Sequence, residues 1–291
     1  MGKKISVIIP TLNAEKELPS LLQKLHNQNV KIDEIIVVDS ASDDGTIEIC
    51  KRDSAIKVIK IERKMFDHGH TRDLALRESI GDIVVFLTQD ALPVNEFFLE
   101  NLISPLSDCK VAVSTGRQLP KSTASEMEKL IRLFNYPDES HIRSKADISK
   151  MGIKTFFCSD VCAAYNRETY FKIGGFEYPI KTNEDMFFAA KAIQKGYYVA
   201  YAAEAMVFHS HNFSLREQYK RNYIQGYEIE KHRYLLGDVS QESEGKRLVV
   251  FVSKRLISKG KMISFFRFGF DCLARLSGSK AGRRAYLKSL K

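Results

Sequence analysis

The chain has 291 residues, 44% hydrophobic and 28% charged, which suits one large globular domain or a domain with an appendage and excludes a disordered or fibrous class. It holds no run of 18 apolar residues, so a spanning helix is not expected, and the apolar part of "MGKKISVIIP" is too short for a secretory signal. The net charge of +9 is uneven: residues 246–291 hold thirteen Lys or Arg against the single acid Asp271, which leaves about −3 on the first 245 residues.

In chain order, "ISVIIP" (5–10) reads as a strand and "EKELPSLLQKLHNQ" (15–28) as a helix burying Leu18, Leu21, Leu22 and Leu25. "DEIIVVDS" (33–40), "IKVIKI" (56–61) and "DIVVFL" (82–87) are further apolar strands. "DDGTIEICKRD", "TRDLALRESI" and "VNEFFLENLISPL" supply helices after them, and "KVAVSTG" (110–116) a later strand. Strands apolar on both faces, alternating with amphipathic helices, predict an α/β, Rossmann-like, doubly wound and mostly parallel sheet. Beyond it the pattern predicts a helix near 125–135 and a loop through "NYPDESHIRSK". A strand, turn and short helix over 156–176 should end at Gly174-Gly175. A helix over 183–196 has Asn183 as its expected N-cap, "YYVAYAAEAMVFHSH" reads as two short strands, and 215–236 reads as a long helix. Residues 1–212 then form the sheet domain and residues 213–291 a helical, basic extension. Five scattered cysteines without a paired CxxC spacing favour a reduced, cytoplasmic setting.

Ligands of such sheets lie at the carboxyl ends of strands. Those ends read Pro10-Thr11-Leu12-Asn13, Asp39-Ser40-Ala41-Ser42 and Thr88-Gln89-Asp90. One of Ser42, Asp43 and Asp44 should cap the next helix, but Asp39 lies upstream of any cap and suits a base or ribose. Asp90 ends its strand too early to cap a helix starting near Pro93, and one carboxylate beside a diphosphate suits a divalent cation. "FDHGHTRD" sets His68 and Arg72 before or within a helix start, where phosphate or sugar contact is favoured over metal. The adjacent acids Glu184 and Asp185 open a helix, where they also suit its dipole.

Taken in order, "VIIPTLN", "VVDSASDDGT", "IVVFLTQDA", "GGF" and "NEDMFFAAKAIQKGY" resemble the family 2 inverting glycosyltransferases of the GT-A fold. "FDHGHTR" with "TQDA" resembles their rhamnosyltransferase branch, which uses dTDP-L-rhamnose. The resemblance implies a nucleotide-sugar pocket of Pro10, Thr11, Asn13, Asp39, Ser42, His68, Arg72, Gln89 and Asp90. It implies catalysis by Asp185 with Glu184, and a Mg²⁺ or Mn²⁺ ion on Asp90 and His209, with His211 a rival. Thr88-Gln89-Asp90 departs from the family's Asp-x-Asp, which puts metal dependence in question.

The reaction implied is sugar transfer from a dTDP-sugar to a hydroxyl of a cell-surface polysaccharide or lipid-linked glycan; a UDP-sugar is the alternative donor. A nucleotidyltransferase should carry a Gly-rich basic loop after its first strand, whereas "PTLNAEKE" is acidic and glycine-free. A non-catalytic nucleotide-sugar scaffold is the remaining rival. The tail "KRLVVFVSKRLISKGKMISFFRFGF" mixes cations with Phe, Leu and Ile. It is read as lying on an anionic membrane, at the inner face of the plasma membrane, in preference to a solvated or homo-oligomer face or to nucleic acid.

Overall fold

The apolar strands of the first ninety residues lie side by side in a computed structural model that describes residues 2–237, 239 and 242–291. The elements, in chain order, are β1 (Ile5–Thr11), α1 (Leu18–His26), β2 (Glu34–Asp39), α2 (Thr46–Lys51), β3 (Ile56–Lys60), α3 (His68–Glu78), β4 (Ile83–Leu87), β5 (Leu92–Pro93) and α4 (Phe98–Ile103). They continue with β6 (Val111–Leu119), α5 (Glu126–Asn135), β7 (His141–Arg143), α6 (Ile148–Met151), β8 (Cys162–Asn166), α7 (Arg167–Ile173), α8 (Glu184–Gln194) and β9 (Tyr198–Phe208). Four helices follow: α9 (Leu215–Lys231), α10 (Arg233–Leu236), α11 (Glu242–Ser258) and α12 (Met262–Ser289).

The sheet order is β3-β2-β1-β4-β8-β6-β9-β5, with β7 also against β9. β3, β2, β1 and β4 pair in parallel; β8 runs antiparallel between β4 and β6, and β6 and β9 are parallel again. Six strands therefore share one direction, as an α/β GT-A-like sheet requires. Alternation sorts the strand residues to two cores. Val7, Ile9, Val37 and Val85 pack with Leu18, Leu21 and Leu25 on one face, and Ile8, Val38, Val84 and Phe86 with Leu76, Phe187 and Phe188 on the other.

Several local expectations change. Pro93 does not begin a helix: it pairs with Val207 in β5, and the helix starts at Phe98. The two expected strands after residue 197 run as one, β9, because the register slips where Gly116 faces Ala202 and Arg117 faces Met206. Gly116 is tight against the slipped segment, since a Cβ there would meet the Ala205 carbonyl at 2.5 Å. The expected loop through 135–145 contains β7, held on β9. Asn183 has a left-handed backbone (φ 67°) and no side-chain cap bond. The long helix breaks at His232 into α9 and α10.

The C-terminal helices are packed onto the sheet domain. Val252 and Leu256 of α11 and Phe268 of α12 bury against Met127, Leu130 and Ile131 of α5. α9 and α12 approach through glycine: a Cβ on Gly282 would meet the Tyr223 carbonyl at 1.9 Å, and one on Gly278 the Tyr219 carbonyl at 2.4 Å. Among the described residues no helix is long and apolar enough to cross a membrane.

Gly282→Val forces backbone apart where no side chain can yield. It should lower stability by about 3 kcal/mol, at the upper end of overpacking costs, read from the urea midpoint, whereas Gly245→Ala, with open space around it, should leave stability within about 1 kcal/mol.

Candidate active site

The carboxyl edge of β1 and β2 is a tightly bonded corner. Asp39 is 2% exposed. Its carboxylate accepts the Ser42 N–H at 3.0 Å and the Thr11 hydroxyl at 3.3 Å. Ser42 Oγ accepts the Asn13 N–H at 2.8 Å, and Asn13 Oδ1 accepts the Asp43 N–H at 3.0 Å. Asn13 (φ 53°) and Ala41 (φ 58°) hold left-handed conformations in these turns. Gln89 Oε1 accepts the Leu12 N–H at 2.9 Å while its amide donates to the Leu12 carbonyl at 3.3 Å, clamping the loop after Pro10 and Thr11. None of Ser42, Asp43 and Asp44 is the cap of α2, whose N-cap is Gly45 without a side-chain bond; Asp44, just before it, accepts the Thr46 N–H at 3.0 Å. Thr11, Asn13, Asp39, Ser42 and Gln89 thus form one network.

A second cluster surrounds Arg72. At the start of α3, Asp67 caps the helix by accepting the His70 N–H at 2.8 Å, while His68 and Arg72 both line the cavity described below. The Glu177 carbonyl also closes over Gly69, where a Cβ would meet it at 2.1 Å. Arg72 is 4% exposed, with Nη1 3.2 Å from Glu184 Oε1 and Nε 3.3 Å from Asp160 Oδ2. His68 lies at the rim, Nδ1 3.7 Å from the same Glu184 oxygen. Asp160 also accepts the Tyr165 hydroxyl at 2.6 Å and donates its own N–H to Asp185 Oδ2 at 3.0 Å.

These contacts divide three acids by proton affinity. Burial works to raise Glu184, but the charge of Arg72 and the contact with His68 hold it down at about 2. Burial raises Asp160 to about 7, against the pull of Arg72 and with the repulsion of Glu184. Asp185 lies well above the ordinary carboxylate range, from burial and then from Glu184 and Asp160. Of the two acids singled out in the sequence, Glu184 is therefore the weak proton acceptor and Asp185 the strong one.

The third cluster joins β4 to the end of β9. His209 Nε2 lies 3.5 Å from Asp90 Oδ1, His211 Nε2 lies 3.4 Å from Asp90 Oδ2, and the two Nε2 atoms are 3.1 Å apart. Both histidines thus face Asp90. Gln118 Oε1 accepts from Arg132, which only donates, so the amide orientation is settled. His209 Nδ1 must then donate its proton to that oxygen, at 2.9 Å, leaving the Nε2 lone pair toward Asp90. Burial pushes His209 down to about 3, so its imidazole is neutral. One carboxylate and two imidazole nitrogens within 4.8 Å of one another fit a divalent cation. Lys121 Nζ, 3.4 Å from Asp90 Oδ2, supplies further positive charge.

A cavity of about 410 Å³ opens beside these clusters. Its lining joins Thr88, Asp160, Glu184 and Asp185 to Arg132, Arg221 and Arg275, which are contributed by other elements. Arg132 pairs with Glu128 at 2.7 Å and Arg275 with Asp271 at 2.5 Å. Among the described residues Arg221 has no acidic partner and lies 4.2 Å over the Phe213 ring. Sequence reasoning missed Asp160, Gln118 and all three wall arginines. Asp160 alone carried a signal: in "CSDVCAAY" it precedes an apolar strand as an isolated acid. The arginines sit on α5, α9 and α12, whose shared wall no spacing announces.

A family model described as "Glycosyl transferase family 2" matches residues 6–174. The O-antigen chain rhamnosyltransferase RfbN of Salmonella typhimurium is 43% identical over 224 residues, covering 77% of this chain and 71% of the relative. WbaN of Salmonella anatum, of the same description, is 42% identical over 226 residues, 76% of this chain and 70% of the relative. Among solved structures, the mannosyltransferase PcManGT from Pyrobaculum calidifontis, in complex with GDP-Man and Mn²⁺, matches with a TM-score of 0.68 at 18% identity, over 99% of this chain and 88% of that one. S. aureus TarS 1–349 in complex with UDP-GlcNAc gives 0.57 at 17%, over 98% and 92%. These structural matches show a shared fold.

Arg72→Met leaves Glu184 and Asp160 buried without their cation. The expected cost is about 3–5 kcal/mol in urea unfolding, and the double variant Arg72→Met/Glu184→Gln should recover part of it.

Proposed function

Because the chain belongs to glycosyl transferase family 2, we propose that this glycosyltransferase moves L-rhamnose from dTDP-L-rhamnose to a hydroxyl of a cell-surface polysaccharide or lipid-linked glycan, by one displacement that inverts the anomeric carbon. The relatives RfbN and WbaN are O-antigen chain rhamnosyltransferases, which favours rhamnose as the sugar. The observation that carries the chemistry is Asp185: a carboxylate lining the cavity beside Glu184 and Asp160, its proton affinity raised by burial and then by these two acids.

The acceptor hydroxyl is too weakly acidic to attack unaided, so Asp185 takes its proton as the new bond forms. Glu184, kept ionised by Arg72, raises the basicity of Asp185 rather than accepting the proton itself. The corner of Thr11, Asn13, Asp39 and Ser42, with Gln89 bracing its loop, receives the nucleoside. Lys121 and Arg221 face the side on which leaving-group charge collects.

Asp90, His209 and His211 would hold a divalent cation, which supplies charge neutralisation for a diphosphate. Two imidazoles make Mn²⁺ a better match than Mg²⁺, which prefers oxygen. The acceptor's lipid link would place the enzyme at the inner face of the plasma membrane, as a peripheral protein.

Calorimetry with dTDP, UDP and GDP tests the donor. The tightest binding is expected for dTDP, weakened about tenfold in Asp39→Ala, where hydrogen bonds to a charged group are lost; tighter UDP binding would replace the sugar donor but not the transferase. Asp185→Asn should keep dTDP binding and lose about 10²–10⁴ in turnover, while unchanged turnover would remove Asp185 as the base. Ionised Asp185 is the active form, so kcat/KM rises with pH through an inflection above the ordinary carboxylate range. In Glu184→Gln, with one repelling charge gone, that inflection moves to lower pH.

For the cation, Gln118→Leu removes the partner that orients His209. Mn²⁺ affinity, followed by calorimetry, should fall about 10–100-fold, and Asp90→Asn should lower it further; equal affinity in all three proteins would remove this cluster as the metal site.

A further inference from the structure

The sequence offers a basic, aromatic tail; the structure divides it into an inward and an outward set. Leu248, Phe251, Val252, Leu256, Phe265 and Phe268 turn inward to the cluster with α5. On α12, Gly278 and Gly282 face α9, and Asp271 is buried. The face opposite these residues has no partner among the described residues. Steps of three and four bring Ile263, Phe266, Phe270 and Leu273 onto it, at 87%, 62%, 60% and 63% exposed. The same row continues through Ser277 to Lys280, Arg284 and Lys288, all exposed.

One helix face is thus apolar for its first half and cationic for its second. Side chains of this size left so open across four successive positions mark an interaction surface. Its charge selects the occupant. From residue 246 to the end the only acid is Asp271, 1% exposed and paired with Arg275, so the outer face presents no negative charge. Lys259 and Lys261 precede the apolar half and Arg267 flanks it. A second copy of the face would meet like charge, whereas an anionic headgroup layer over an acyl interior complements both halves.

We propose that the outer face of α12 docks on an anionic lipid bilayer, with Ile263, Phe266, Phe270 and Leu273 inserted below the headgroups and Lys280, Arg284 and Lys288 lying among them. This deepens the peripheral placement given under the proposed function and rests on it. The same helix contributes Arg275 to the cavity lining, so docking sets the distance between the membrane surface and the cavity.

The test is flotation of the full chain with vesicles of phosphatidylcholine alone and of phosphatidylcholine mixed with phosphatidylglycerol. Binding is expected to the mixed vesicles, weakened by salt and close to absent on phosphatidylcholine. Phe266→Ser/Phe270→Ser should lower the partition about tenfold per ring removed. Lys280→Gln/Arg284→Gln/Lys288→Gln, which touches only exposed positions, should lower it about fivefold per charge. Unchanged partition in both variants would overturn the assignment of this face. So would a wild type that ignores both vesicle types, including one that light scattering shows as a dimer split by the phenylalanine variant. dTDP binding, measured alongside, separates the two readings: its retention without vesicle binding sinks only the docking face, and its absence in the wild type sinks the transferase reading.

Discussion

A guanidinium taken out of water organises this site. Arg72 comes from the first turns of α3, Asp160 from the segment before β8, and Glu184 from the start of α8, so one ion-paired group ties three distant pieces of chain together. Burying such a charge is tolerable only where its partners are close and fixed. That requirement holds the first turn of α8 in place, and with it Asp185. The arrangement also sorts the acids. Glu184 beside the cation stays ionised, and burial, then the charge of Glu184 and Asp160, makes Asp185 hard to ionise and correspondingly basic.

The sheet supplies the second constraint. β8, inserted antiparallel beside β4, sets β6 and β9 next to the parallel half of the sheet, pointing the same way. Their carboxyl ends therefore finish near that of β4. Gln118 near the end of β6, His209 just beyond β9 and Asp90 beyond β4 meet for this reason, although more than a hundred residues separate Asp90 from His209 along the chain. Gln118 links the cation cluster to the cavity wall, because the oxygen that orients His209 also accepts from Arg132.

The helical region closes the cavity from the other side. Glycines at the α9–α12 contact let two backbones meet, and Arg221 of α9 and Arg275 of α12 line the same cavity as Asp185. The basic tail is thus partly wall and partly core. Roughly alternate turns of its apolar residues pack on α5, and only what remains is open to a partner.

Local pattern was enough for the alternating strands and helices, for the acids ending β2 and following β4, and for the acid pair opening α8. Each depends on period and on neighbours a few residues away, and hydrophobic alternation states those directly. The same local view gave Arg72 no partner within the protein, because its ion pairs with Glu184 and Asp160 come from distant segments. It passed over Asp160, Gln118 and Arg221 because their meaning lies in who stands opposite. It placed Pro93 at a helix start because the pairing with Val207 is contributed by a strand far down the chain. By itself, then, the sequence determined the fold class and the family. Only the tertiary structure decided which acid is basic, how His209 and His211 both face Asp90, and which face of the last helix is left open, since pairing of charges and burial of faces are set between segments and not along them.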